Sequence, residues 1–291
     1  MNGVLVIDKP AGMTSHDVVS RVRRILQERS VGHLGTLDPM ATGVLPLVIG
    51  KLTRLAQFYT TAEKCYEGEI RFGFATDTYD AEGEPTTPVS DAHPTLEQVR
   101  QTAAQFRGVI RQMPPPFSAK KIGGVPAYKL ARKKREVELQ PVEVEVKEFE
   151  ILGVNSDRAR FRARVGSGTY MRSVAHEMGK LLGVGAHLAS LRRTMVAEFD
   201  LADARTFSQL EAAADNALEE ELFVHPRRLL PAFPAVTAND QSAAMIRAGR
   251  AVNLPEMSRA RQVKVFYGQN QLICIADRVA GTLFHPKVVL A

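Results

Sequence analysis

Three stretches of the chain alternate apolar and polar positions with the period of a strand that has one wet face. Over 64–74, Tyr66, Gly68, Ile70, Phe72 and Phe74 share one face, and Cys65, Glu67, Glu69 and Arg71 share the other. Val142, Val144 and Val146 alternate with Glu143 and Glu145, and Phe161, Ala163 and Val165 alternate with Arg160, Arg162 and Arg164. Residues 3–8 also read as a strand. A helix starts from Thr14 or Ser15, where Thr14 and Asp17 are placed as a capping box, and its apolar stripe is Val18, Val22, Ile25 and Leu26. A glycine-punctuated loop over 30–43 leads to the apolar run 44–49. Residues 77–91 form a polar loop, and 95–107 a helix with Leu96, Val99, Ala103 and Phe106 inward. The Pro114–Pro116 run forces extended backbone. A further helix spans about 170–182, with Gly183 as its stop.

Pro226, Pro231 and Pro234 mark a linker near 226–235. The 57 residues beyond it hold one short helix (240–248) and strands around 263–267, 271–276 and 287–290, a small appended module. The expected organisation is a main body over 1–230 and a module over 235–291. Helices mixed with largely antiparallel strands make the fold class α+β.

A length of 291 residues suits about two domains of roughly 150 each. With 45% hydrophobic and 24% charged residues, disorder, a collagen-like chain and a disulfide scaffold are excluded. The longest uncharged apolar stretch, 43–50, falls far short of the ~20 residues of a membrane span. The N-terminus lacks the basic start and apolar run of a signal peptide. Cys65 and Cys274 have no metal or redox spacing, so a reducing, cytoplasmic setting is expected.

Charge is uneven. The net value is +6, yet residues 100–135 carry ten Lys or Arg and no Asp or Glu, which leaves the remainder at −4. Such a zone on an otherwise mildly acidic protein is the footprint of a polyanion, and nucleic acid is the expected partner. The alternative is a solvated helix face.

Several fragments carry no chemistry. Gly43 and Gly50-Lys51 are too far apart for a phosphate loop, and Leu52 stands where Ser or Thr is needed. Gly166-Ser167-Gly168 lacks a third glycine, and His176-Glu177 is not a zinc motif. Asp77 and Asp80 could hold a cation but read as turn formers. No metal or cofactor site is expected. The string Gly32-His33-Leu34-Gly35-Thr36-Leu37-Asp38-Pro39-Met40-Ala41-Thr42-Gly43 is different. Its glycines permit close backbone approach, and Pro39 pushes Asp38 toward extended geometry. A lone carboxylate thus sits on a shaped, mostly apolar loop. Taken alone, Asp-Pro in a glycine-rich loop is usually a turn.

The whole string resembles the catalytic loop of the TruB family of RNA pseudouridine synthases. Further motifs resemble that family in the same order: Asp8-Lys9-Pro10 through Ser15, Lys64-Cys65-Tyr66 with Thr76-Asp77-Thr78 through Gly83, Pro115 through Arg132, Gly168-Thr169-Tyr170 through Ser173, and Gly185 through Arg193. The resemblance covers roughly residues 3–230. Phe117 stands where the family carries tyrosine, and the last 57 residues loosely resemble a PUA-like RNA-binding module.

The resemblance implies a mixed, largely antiparallel pseudouridine-synthase sheet with flanking helices, and the conversion of uridine 55 in the T-loop of tRNA to pseudouridine. It implies base flipping, no cofactor or metal, no guide RNA and no obligatory protein partner, and a monomer is expected. Asp38 becomes the nucleophile, with Arg172 paired to it; a phosphate-binding arginine is the alternative. Tyr66 becomes the residue stacked on the target base, against the alternative of a core tyrosine. Tyr170 and Leu191 line the same pocket, and His33 contacts the RNA loop. Lys9 supports the Asp38 loop or a phosphate. Lys120 and Arg132 contact the tRNA T-arm from the basic segment. A non-catalytic RNA-binding or tRNA-folding protein, and a guide-dependent synthase resembling dyskerin, are the two rival readings.

Overall fold

The computed structural model describes residues 1–91, 93–118, 121–122, 125–126, 139–215 and 222–290. The chain runs β1 (Gly3–Lys9), α1 (Ser15–Ile25), β2 (Val31–His33), β3 (Thr42–Ile49), a 3₁₀ helix (Gly50–Tyr59), β4 (Lys64–Phe72), α2 (Leu96–Ala104) and β5 (Gly108–Gln112). A two-residue pair, β6 (Lys121–Ile122) and β7 (Val125–Pro126), precedes β8 (Val142–Asn155), β9 (Arg158–Val165), α3 (Met171–Leu181) and β10 (Ala186–Val196). Then come β11 (Phe199–Asp200), β12 (Ala204–Arg205) and α4 (Phe207–Asp215). The C-terminal part is β13 (Ala235–Ala238), α5 (Asp240–Arg247), β14 (Val252–Asn253), β15 (Gln262–Tyr267), β16 (Gln271–Ala280) and β17 (Leu283–Val289).

One ten-stranded sheet carries the order β12-β1-β3-β10-β4-β9-β8-β5, with β2 beside β3 and β11 beside β10. Its pairings are antiparallel except β1–β12 and β3–β10. The architecture is the expected α+β. β1 and β3 read as unbroken apolar runs because both of their faces are covered. Leu5, Ile7, Leu45 and Leu47 join the main core under α1, whereas Val4, Val6, Val44 and Val48 join a second cluster on the other face. That second cluster also takes in Phe266, Leu272, Ile275 and Val288, so the five-stranded sheet β13-β15-β16-β17-β14 is fixed to the large one by shared apolar burial.

β4 and β9 keep the predicted wet face. Arg158, Arg162 and Arg164 of β9 reach Glu69, Glu67 and Glu63 at 3.2, 3.0 and 2.8 Å. These exposed pairs add little stability, but they neutralise one another. The capping box of α1 forms as expected, with Asp17 N donating to Thr14 Oγ1 at 3.1 Å and Thr14 N donating to Asp17 Oδ2 at 2.9 Å. Gly183 takes φ +70° just beyond α3.

Some local expectations change. The 30–43 stretch contains β2, which pairs with β3. The α2 helix ends at Ala104, and β5 follows within the basic window. Part of that window is structural: Arg107 donates through Nε and Nη2 to the Phe149 carbonyl at 3.2 and 3.0 Å, tying the end of α2 to β8. Lys120 and Arg132 lie outside the described residues. Among the described residues, no helix is long and apolar enough to cross a membrane.

Candidate active site

The Asp38 loop leaves β2, turns at Asp38-Pro39-Met40-Ala41 with Ala41 N donating to Asp38 O at 3.1 Å, and re-enters the sheet as β3. Two buried residues near the N-terminus brace it. Ser15 Oγ accepts from Leu37 N at 2.8 Å and donates to Leu37 O at 3.2 Å. Lys9, fully buried, donates from Nζ to the carbonyls of Pro10, Met13 and Pro39 at 2.8, 2.6 and 3.1 Å. Lys9 thus spends its donors on backbone carbonyls, one of them in the Asp38 loop.

Burial pulls the Lys9 pKa down from 10.5 to about 8, with Asp38 pulling it back up. The unfolded chain holds this proton up to about 10.5 and the folded chain only to about 8, so unfolding takes up a proton in between. Stability from this group therefore rises with pH across that window. Lys9→Met is expected to flatten that rise in denaturant midpoints measured from pH 7 to 11. At pH 7 it should also cost about 1–3 kcal/mol, since three buried carbonyls lose their donor.

Asp38 meets Arg172, which sits 134 residues away in the first turn of α3. Arg172 Nη2 donates to Asp38 Oδ1 at 3.0 Å, and Nε stands 2.9 Å from Oδ2. The same guanidinium donates to the carbonyls of Thr78 and Phe117 at 3.1 and 3.0 Å, and lies 3.6 Å from Asp80 Oδ2. The Arg172 side chain is 5% exposed and that of Asp38 31%. The pair thus has a fixed, dry cation behind a carboxylate that still faces solvent. Such a charge-assisted contact orients the carboxylate.

A cavity of about 260 Å³ opens in front of Asp38. Tyr66, Tyr170, Arg172 and Leu191 line it with Asp38, and so does Lys64. Tyr66 and Leu191 come from neighbouring strands, β4 and β10, whose side chains here share the main core. Burial raises the Tyr66 pKa, opposed by the charge of Arg193, while Asp38 adds to the rise. Tyr170 precedes α3 and is locked by Gln112, whose side-chain oxygen accepts from Tyr170 N at 2.8 Å and whose Nε2 donates to Tyr170 O at 3.1 Å.

The structure thus brings together Asp38, Tyr66, Tyr170, Arg172 and Leu191. His33 lies apart, half-buried on β2 and off the cavity lining. Burial lowers its pKa, with the Arg193 charge adding to that.

Sequence reasoning missed the second role of Asp80. It is a turn former, accepting from Thr78 Oγ1 at 2.6 Å and Glu82 N at 3.1 Å, but it also stands beside Arg172. Its place in the motif 76–83 was the available signal. Ser15 and Gln112 were missed too, because the value of each lies in one long-range backbone contact.

Against this geometry the comparisons are consistent. The family described as TruB family pseudouridylate synthase (N terminal domain) matches residues 23–171, and the tRNA pseudouridylate synthase B C-terminal domain matches 172–233. The chain belongs to the TruB family of pseudouridylate synthases. It is 50% identical over 293 residues to the tRNA pseudouridine synthase B of Solibacter usitatus, covering 100% of each chain. To that of Aquifex aeolicus it is 39% identical over 292 residues, again covering 100% of both. Among solved structures, a Cbf5-Nop10-Gar1 complex contains a chain with TM-score 0.73 and 25% identity, matched over 99% of this chain and 85% of that one.

Proposed function

We propose that the protein converts uridine 55 in the T-loop of tRNA to pseudouridine, with Asp38 as nucleophile and no guide RNA. The observation that carries this reading is a solvent-facing aspartate fixed by a buried arginine beside a cavity lined by a buried tyrosine and a leucine. Full-length similarity to proteins named tRNA pseudouridine synthase B supports the substrate.

The reaction breaks C1′–N1, turns the uracil and joins C1′ to C5. The C5 proton leaves and N1 gains one, so atoms and electrons balance within the nucleoside. Asp38 serves by covalent attack, through a bond that breaks again as C1′ joins C5. To reach it, the uridine leaves its stack at a cost of a few kcal/mol. Stacking on Tyr66, about 1–3 kcal/mol per base, offsets that cost, and Tyr170 and Leu191 close the remaining sides. In the same reading the enzyme works alone as a monomer in the cytoplasm. The unit over 1–230 is catalytic, and 235–291 is a smaller PUA-like unit against the RNA.

Tritium release from a tRNA transcript carrying C5-labelled uridine tests the proposal, with the product mapped along the RNA. Release with pseudouridine in the T-loop is expected. Tight binding without release would favour an RNA-binding protein on the same scaffold.

His33, Lys120 and Arg132 belong to this proposal as RNA contacts. Changing Lys120 and Arg132 together to Ala is expected to weaken tRNA binding and to reduce the slope of log affinity against log salt by about 2, one for each phosphate no longer neutralised. Filter binding across a salt series checks this. An unchanged slope places the RNA surface elsewhere.

A further inference from the structure

One residue of the 76–83 turn sits in a conformation that its side chain disfavours. Tyr79 has φ +65°, the left-handed region that suits glycine and makes a bulky residue an outlier. Its backbone is pinned on both sides. Tyr79 N donates to Thr76 O at 3.3 Å, Tyr79 O accepts from Leu188 N of β10 at 3.0 Å, and Ala81 N donates to Leu188 O at 3.0 Å. Those bonds use main chain alone, so glycine at 79 would make them all without the strain. The side chain has to account for the tyrosine.

The Tyr79 ring lies flat on His176 of α3, with centroids 3.7 Å apart and planes 12° from parallel. His176 is 8% exposed, and its Nδ1 is buried with no hydrogen-bond partner among the described residues. The stack is therefore the contact that orients the imidazole. Burial lowers the His176 pKa, Lys180 adds to that and Glu177 opposes it, which favours the neutral ring.

His176 stands four residues after Arg172, one turn further along the same face of α3. The residues on either side of Tyr79 are the ones that meet Arg172. Thr78 O accepts from Nη1 at 3.1 Å, and Asp80 Oδ2 lies 3.6 Å from the same nitrogen. The turn thus clasps α3 at two levels, with its ring on His176 and the two flanking residues on Arg172. A strained residue keeps its conformation only while its surroundings hold it, so loss of the stack would let residue 79 relax and carry both neighbours with it.

We propose that Tyr79 and His176 are positioning residues for the reaction: their stack locks the 76–83 turn onto α3, so that Thr78 and Asp80 set the Arg172 guanidinium against Asp38. This rests on the pseudouridine-forming reading of the cavity.

The test reads single-turnover tritium release at saturating tRNA. Tyr79→Leu removes the ring and keeps the backbone constraint. It is expected to slow release at least about 10-fold with tRNA affinity within about threefold, since small displacements near a reacting group carry penalties of that order. Tyr79→Phe keeps the stack and is expected to stay within about twofold of wild type. In an Arg172→Met, Asp80→Asn background no guanidinium remains to be placed, and Tyr79→Leu should there cost less than about threefold. An equal loss in that background, a loss confined to affinity, no loss, or failure of Tyr79→Phe to hold the rate would each overturn the proposal.

Tyr79→Gly is the second variant. It accepts φ +65° without strain, and should slow release as Tyr79→Leu does. Full turnover by Tyr79→Gly would show that the backbone conformation sets Arg172 without the ring, and the proposal fails. It fails too if both variants unfold. An activity-free readout accompanies the rates. The Hε1 proton signal of His176, assigned among the seven histidines by its loss in His176→Leu, should move downfield in Tyr79→Leu and Tyr79→Gly and stay in Tyr79→Phe. A signal that stays in all three overturns the stack itself. Absence of release by the wild type, with that shift present, would instead defeat the reading of the cavity, so the two failures are separable.

Discussion

Asp38→Asn is expected to lower single-turnover pseudouridine formation by on the order of 10⁴-fold or more, while tRNA affinity stays within about threefold. The argument is one of shape against charge. Asparagine fills the same volume on the same turn, and the backbone bond from Ala41 N to the residue-38 carbonyl is untouched. Arg172 keeps the carbonyls of Thr78 and Phe117 and its neighbour Asp80. The fold therefore gives up about one charge-assisted hydrogen bond, at a cost of roughly 1–3 kcal/mol. An amide, however, neither attacks carbon nor accepts a proton as a carboxylate does, and removing the group that performs covalent chemistry costs rates of this size. Tritium release, filter binding and a thermal melt on one preparation check all three parts. A residual rate above about a hundredth of wild type would remove the carboxylate from the chemistry.

The parts of this molecule that could be read from its residues are those where a face meets water. β4 and β9 announce themselves because Glu67, Glu69, Arg162 and Arg164 must lie on the wet side, leaving Tyr66, Ile70, Phe161 and Ala163 to the core. The α1 cap is legible because Thr14 and Asp17 satisfy orphan amides locally. β2 is not legible: three residues among glycines become a strand only because β3 lies alongside with unpaired groups to offer. β5 has exposed Val109 where a periodic reading expects polar residues.

The site divides in the same way. Asp38, Tyr66 and Arg172 were found through the resemblance of whole motifs, and geometry then placed them around one cavity. The burial of Lys9 and Arg193 escapes a reading that sends charge to the surface, because it depends on backbone carbonyls placed to accept their hydrogen bonds. Those carbonyls come from Pro39, Gly35 and Thr36, and no spacing along the chain shows that they converge.

The Arg172 cluster yields the other large expected effect, and it separates stability from catalysis. Arg172→Met strands Asp80, which is 5% exposed, and removes donors from two carbonyls. Breaking a buried pair by deleting one partner costs about 3–5 kcal/mol. Turnover should fall at least about 10²-fold, since Asp38 is no longer fixed and small misplacements of a reacting group carry penalties of that size. Adding Asp80→Asn removes the stranded charge, so the double variant is expected to regain about 1–3 kcal/mol in chemical denaturation. It should regain no turnover, because Asp38 is still unheld. Recovery of both quantities together would mean that Arg172 acts on the reaction only through the fold. Recovery of stability alone would show that one guanidinium does two separable things: it neutralises Asp80 to let the 76–83 turn pack, and it aims Asp38 into the cavity.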